Sequence, residues 1–325
     1  MPMESRASPA PVRHNGLMSV AYSRHASRAP LAVRVALPVG VLFTAVACLA
    51  TLGGVITEEA VVRELPAPMA ALALPQIDVA ATGAANPCAD EAVLAALDAG
   101  DDSATIAAFG GGGEFREAVV AGNAPCVPLD DPTHVWVVVN KLRSLSRIDY
   151  APSSVTASSL RPTSGSVSMH PEAAQALGRM ADAARAAGAG TIGINNAYRS
   201  YHLQQSTYSS IVRADGAKDA DARSARPGHS EHQTGFAADI VACSSGCGGI
   251  GAFGGTPQSD WVAEHAWEHG FIVRYEQGAT GMTGYIPEPW HLRYIGVELA
   301  AAYNAGGFHT LEDFFELPAA ADYAH

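Results

Sequence analysis

The sequence predicts an α+β protein with an N-terminal transmembrane helix, and three observations carry that prediction. Residues 35–56, VALPVGVLFTAVACLATLGGVI, form a run of 22 residues without one charge. Beyond them, strand-like and helix-like stretches mix without the regular β–α repeat of a doubly wound sheet. Apart from Cys48, the cysteines are Cys88, Cys126, Cys243 and Cys247, an even number that suits an exported, oxidising environment. With 325 residues and 48% hydrophobic content, the chain can bury one sizeable domain and a smaller attached piece.

Residues 35–56 come first in the chain. At 1.5 Å per residue they span roughly 30 Å, the thickness of a bilayer core. Arg6, Arg13, Arg24, Arg28 and Arg34 precede them and Glu58 and Glu59 follow. The positive-inside rule then makes residues 1–34 a basic cytoplasmic tail, residues 35–56 a membrane anchor, and the rest extracytoplasmic. A cleaved signal peptide with AVA at 45–47, or a lipid-modified Cys48, are the alternatives. The uncut anchor is preferred because the apolar run continues past Cys48 and the region before it is long for a signal peptide. The formal charge is −12, and after residue 34 there are 15 basic and 31 acidic residues. That balance excludes a nucleic-acid partner, which needs clustered Lys and Arg.

Residues 57–87, rich in Ala and Pro, read as a linker. Residues 88–130 read as a small helical segment in which DEAVLAALDAG and GEFREAVVAG are helices around a flexible glycine run, Gly110 to Gly113. That run is no phosphate loop, since no strand precedes it and no Lys-Ser/Thr follows. Two disulfides are expected, Cys88 with Cys126 and Cys243 with Cys247; a four-cysteine zinc site needs closer pairs. The main domain covers 131–310, followed by a tail, 311–325. In order, HVWVVVNKL reads as a strand, PEAAQALGRMADAARAAG as a helix ended by Gly188, and TIGINNAYRS as a strand. YHLQQSTYSSIVRAD reads as a helix, GFAADIVA as a strand, DWVAEHAWEHG as a helix and FIVRY as a strand, with EPWHLRYIG leading into a short helix.

RPGHSEHQTGFAADI, residues 226–240, gathers metal-ligand residue types in a chain poor in charge. A catalytic zinc site wants three N or O ligands, an open position for water and a nearby carboxylate. His232 and Asp239 are seven residues apart and would face opposite ways on one straight strand. A bend at Gly235 removes the conflict. EPWH supplies a third ligand, His291, with Glu288 three residues before it to act on the water.

SEHQTGFAAD fits the S-x-H-x-x-G-x-A-x-D pattern of the VanY-type zinc D-alanyl-D-alanine carboxypeptidases, and EPWH fits their second motif. With AYRSYHLQQ, ARPG, WVAEHAWEHGFIVRY and PWHLRYIG, the chain resembles that family over about residues 131–300. The resemblance implies a small, mostly antiparallel sheet flanked by helices, a fold shared with hedgehog-type domains. It implies one zinc ion per chain on His232, Asp239 and His291, with Glu288 as base. It also implies Arg199 as substrate-binding and charge-stabilising residue, with Gln204 and Ser230 helping to hold the terminal carboxylate. The expected partner is the peptidoglycan stem peptide, and the expected place is the outer face of a bacterial cell membrane.

HAWEH, residues 265–269, is literally an inverted zincin motif, with His265 and His269 at helical spacing. Its short helix and its place outside the family's metal shell make it a packing element with partly exposed histidines. His229 reads as a loop residue lining the cleft. Trp290 leans to the core, Tyr198 is open between core and substrate, and His134, His170, His202 and His309 are structural or exposed. The functional expectation is a zinc metallopeptidase that removes the C-terminal D-alanine from D-Ala-D-Ala stem peptides. An L,D-carboxypeptidase, a peptidoglycan endopeptidase and a non-catalytic cell-wall-binding module are the alternatives.

Overall fold

The computed structural model describes residues 86–324. The basic tail, the anchor at 35–56 and nearly all of the linker lie outside them. Among the described residues no helix is long and apolar enough to cross a membrane.

Three short helices open the fold: α1 (Glu91–Ala99), α2 (Asp102–Ala108) and α3 (Gly112–Val120). Asp90 and Asp101 cap the first two by accepting from Ala92 N and Ala104 N. The glycine run is therefore not simply a connector. Gly112 lies in the first turn of α3, where the backbone carbonyl of Glu298 leaves no room for a Cβ. The Cys88–Cys126 bond closes this segment, and by loop entropy it contributes about 4 kcal/mol. Ile106, Phe115, Ala124 and Val127 join the same core as the main domain, so residues 88–130 are packed into it rather than set apart.

Short strands β1 (Thr156–Ala157), β2 (Arg161–Pro162) and β3 (Ser168–Met169) lead to α4 (Pro171–Ala186). Proline at its first position starts α4, and Gly188, at φ +80°, follows its end. Then come β4 (Thr191–Asn196), α5 (Tyr201–Asp215), capped by Ser200 Oγ, and α6 (Ala217–Arg223). The remainder is β5 (Ala237–Cys243), α7 (Pro257–His265), β6 (Phe271–Tyr275), α8 (Thr280–Thr283), β7 (Glu288–Tyr294), α9 (Val297–Ala305) and α10 (Leu311–Phe314). The main sheet runs β2-β4-β5-β7-β6, with β2 and β4 parallel and every other pair antiparallel. β1 pairs with β3 apart from it. The Cys243–Cys247 bond closes the end of β5.

Two expectations need correction. HVWVVVNKL forms no strand, although Val135 to Val139 are buried. Its carbonyls are used otherwise: Arg293 Nη2 donates to Val135 O and Val137 O at 2.9 and 2.8 Å, which removes the need for a ladder. Residues 311–325 are no loose tail either, because Leu311, Phe314, Phe315 and Tyr323 are buried. Glu312 anchors them. It is fully buried and accepts a two-pronged bond from Arg274 at 2.9 and 2.8 Å and another from Asn140 Nδ2 at 2.8 Å.

Burial is the largest influence on the Glu312 carboxyl and favours its neutral form, yet Arg274 and the bond from Asn140 together hold it below the usual range. The stabilisation is therefore complete above the ordinary value of 4.5 and is lost as pH falls through the lower folded value. Glu312→Gln breaks a buried pair and lowers stability by roughly 3 kcal/mol at pH 7. Urea unfolding from pH 7 down to pH 3 should show this deficit shrinking only below about pH 4.5. A difference independent of pH would contradict the assignment.

Candidate metal centre

Strand register builds the centre. In the β5–β7 pair Asp239 lies directly opposite His291, so both side chains project from one face. His232 comes from a 3-10 turn, Glu231–Thr234, which Gly235 closes at φ +81°. A Cβ at Gly235 would meet His170 N at 3.2 Å, so only glycine takes this bend comfortably. Glu288 and His291, an odd three residues apart, would face opposite ways on a regular strand. Opposite Val273 and Tyr275 the β7 register shifts around Pro289 and Trp290, and Glu288 Oε2 comes within 3.7 Å of His291 Nδ1.

The outward-facing nitrogens fix the inward ones. His232 Nδ1 lies 2.7 Å from Ala197 O; a carbonyl only accepts, so Nδ1 carries the proton and Nε2 offers its lone pair toward Asp239 Oδ2 at 3.3 Å. His291 does the reverse. Its Nε2 is 3.1 Å from Glu231 Oε2, and its Nδ1 faces Asp239 Oδ1 at 3.3 Å. The donor atoms of His232, Asp239 and His291 lie within 4.8 Å of one another, the one such group among the described residues. Asp239 Oδ1 is buried and makes no hydrogen bond among them. Two imidazole nitrogens and an unsatisfied carboxylate oxygen, converging on one point, fit a divalent metal ion.

The electrostatics agree. Burial, the largest influence on His291, works against its charge, but Asp239 and Glu231 together raise it to about 9. A point between these carboxylates favours a cation. Burial lowers the neighbouring His232. It also lifts Glu288 to about 7. Glu231, more deeply buried, is instead held well below the carboxylate range, because Arg274 and Arg293 outweigh its desolvation.

A cavity of about 400 Å³ opens on the centre, and Arg199, Ser230, Glu288 and Trp290 line it with the three candidate ligands. Arg199 Nη2 is 3.8 Å from Asp239 Oδ2, and its Nη1 donates to Gln204 Oε1 at 2.8 Å. Gln204, expected beside the substrate carboxylate, takes a different place. It is fully buried, and its Nε2 donates to Ser224 Oγ and Ala225 O. Its amide is spent on holding Arg199.

His265 and His269 stand apart from the triad. The α-helix gives way to a 3-10 turn after His265, which breaks their helical spacing, and His265 pairs with Glu268 at 2.9 Å. His229 packs edge-on to Tyr323 and bonds Asn140 O, away from the cavity lining where it was expected. Trp290 both lines the cavity and packs on the core. The contact of Glu231 with His291 was not anticipated. Its signal in the sequence was a pair of arginines, Arg274 and Arg293, inside strongly apolar strands, which must find buried acids.

The fold and the centre define a candidate metal site on a mostly antiparallel sheet. The family described as VanY, D-alanyl-D-alanine carboxypeptidase, matches residues 166–297. YodJ of Bacillus subtilis, which bears a provisional carboxypeptidase name, is 41% identical over 145 residues, 45% of this chain and 52% of that protein. A D-alanyl-D-alanine carboxypeptidase of Enterococcus faecium is 31% identical over 149 residues, 46% of this chain and 44% of that protein. The solved LdcB LD-carboxypeptidase shares 36% identity at a TM-score of 0.53, covering 57% of this chain and 87% of that one. This chain spans about half the length of the curated relatives it matches. Through this domain it belongs to the VanY-type carboxypeptidase family.

Gly235→Ala places a side chain in the left-handed region and against His170. It should lower stability by roughly 1–2 kcal/mol in urea unfolding and weaken zinc binding in a chelator competition, because the turn carrying His232 must move. Unchanged stability would show that the bend tolerates a Cβ.

Proposed function

We propose that this chain is a zinc-dependent carboxypeptidase that removes the C-terminal D-alanine from peptidoglycan stem peptides. The observation that carries the reading is the convergence of His232, Asp239 and His291 with Glu288 and Arg199 around one cavity. His232, Asp239 and His291 would hold one zinc ion, which when bound would supply Lewis acidity toward a carbonyl and lower the pKa of water. Glu288, lifted by burial to about 7, is suited to exchanging protons near neutrality. It takes a proton from the attacking water and returns one to the departing amine of the terminal residue, so that water and the peptide bond yield a carboxylate and an amine. The planar guanidinium of Arg199, oriented by Gln204, faces the oxygen on which negative charge develops or the substrate's own terminal carboxylate. Ser230 adds a hydroxyl to the same wall.

A second reading is an L,D-carboxypeptidase, favoured by the likeness to LdcB over 87% of that chain. The two readings share every residue named above and differ in the residue that precedes the scissile bond. The two disulfides support an oxidising compartment. The proposed location is therefore extracytoplasmic, on a single-pass anchor at residues 35–56.

Incubating the full chain with a pentapeptide ending in D-Ala-D-Ala, with the tetrapeptide ending in one D-Ala and with cross-linked peptidoglycan, followed by mass spectrometry and a pull-down on the peptidoglycan, separates these readings. Loss of one alanine from the pentapeptide alone is expected. Loss from the tetrapeptide selects the L,D reading, and cleavage only of cross-linked peptides selects an endopeptidase. A zinc-loaded chain that binds peptidoglycan but cuts nothing is a binding module. Glu288→Gln should keep its zinc and lose at least about 10²-fold in turnover. Chelation should abolish turnover and added zinc should restore it.

A further inference from the structure

Glu231 sits between two of the candidate ligands in an unusual position. It precedes His232 in the chain, yet its carboxylate turns away and bonds the other histidine, His291, at 3.1 Å. Its Oε1 accepts from Arg274 Nε at 2.8 Å and from Arg293 Nη1 at 3.1 Å. The side chains of Glu231, Arg274 and Arg293 are each exposed by 1% or less. Both guanidiniums are pinned from behind, Arg274 by Glu312 and Arg293 by the carbonyls of Val135 and Val137. The Glu231 carboxylate thus has little freedom to rotate, and one oxygen remains for His291.

We propose that Glu231 is a positioning residue for the metal centre: its carboxylate holds His291 with Nε2–H outward and Nδ1 directed at the metal. The inference rests on the zinc reading given above. A metal-binding imidazole must present one nitrogen unprotonated, and a carboxylate on the other nitrogen fixes both the tautomer and the ring plane. Without that carboxylate the ring loses its anchor, and Arg274 and Arg293 gain an uncompensated positive charge beside a bound cation. Both effects weaken metal binding in the same direction.

Three measurements on the full chain test this. Chelator competition on Glu231→Gln should show zinc affinity reduced about 10- to 100-fold. Glu312→Gln breaks the same buried network one step further out and leaves the His291 contact in place; its affinity should stay within about threefold of the parent although its stability falls. Histidine nitrogen NMR of the unmutated, zinc-loaded chain should show His232 bound through Nε2 and His291 through Nδ1. A folded Glu231→Gln chain with affinity within about twofold of the parent, or an equal loss in both variants, overturns the assignment. So does His291 bound through Nε2, and this last readout decides the matter if Glu231→Gln does not fold. None of the three reads peptide cleavage. Zinc binding that depends on Glu231 in a chain that cuts no peptide sinks the carboxypeptidase reading alone, whereas a cutting enzyme indifferent to Glu231 sinks the positioning role alone.

Discussion

The register of β5 against β7 is the constraint on which the rest of the molecule depends. Asp239 opposes His291 in that pairing, and a slip by one residue would send one of them to the far face of the sheet. The register is locked by charge as well as by packing. Arg293 lies opposite Ala237, two positions along the same face, and its guanidinium is wholly buried among Glu231 and two backbone carbonyls. Another pairing would carry a buried cation away from these acceptors, at a cost of several kcal/mol. A polar network that contributes little to net stability can still specify one alignment.

Two glutamates beside His291 show how environment divides one residue type into two roles. Glu231 and Glu288 are both buried and both approach the same ring, at 3.1 and 3.7 Å. Glu231 shares one oxygen between two arginines and is held firmly ionised. Glu288 makes no such pair, so burial dominates and lifts it to about 7. The first can only accept hydrogen bonds; the second can trade a proton near neutrality. Environment alone thus separates a fixed anchor from a proton carrier.

What the sequence revealed and what it hid divide along range of interaction. The helices at 171–186 and 201–215 were legible because Pro171, Gly188 and Ser200 mark their ends locally. Candidate ligands were legible because a glycine bend and a proline-stiffened EPWH are local geometry. The valine run at 135–139 was misread, since strand propensity says nothing of an arginine 156 residues away that takes its carbonyls. Gln204 and Glu231 belong to the same class. Each looks like an ordinary polar residue until folding brings up Arg199 or His291, and no periodicity reports such a meeting.

The same long-range contacts bear on where the working unit ends. The family match covers residues 166–297, which contain the three candidate ligands, Glu288 and Arg199. Val135, Val137, Asn140 and Glu312 fall outside it, yet they hold Arg293 and Arg274 in place. Within the matched stretch alone, those two buried arginines would share the single carboxylate of Glu231. An unpaired cation is far too costly to keep in an apolar core, so Glu312 and the carbonyls of Val135 and Val137 are needed to keep both arginines buried. The segments on either side therefore belong to the folding unit that carries the centre, because they complete a charge balance that the shared motif leaves open.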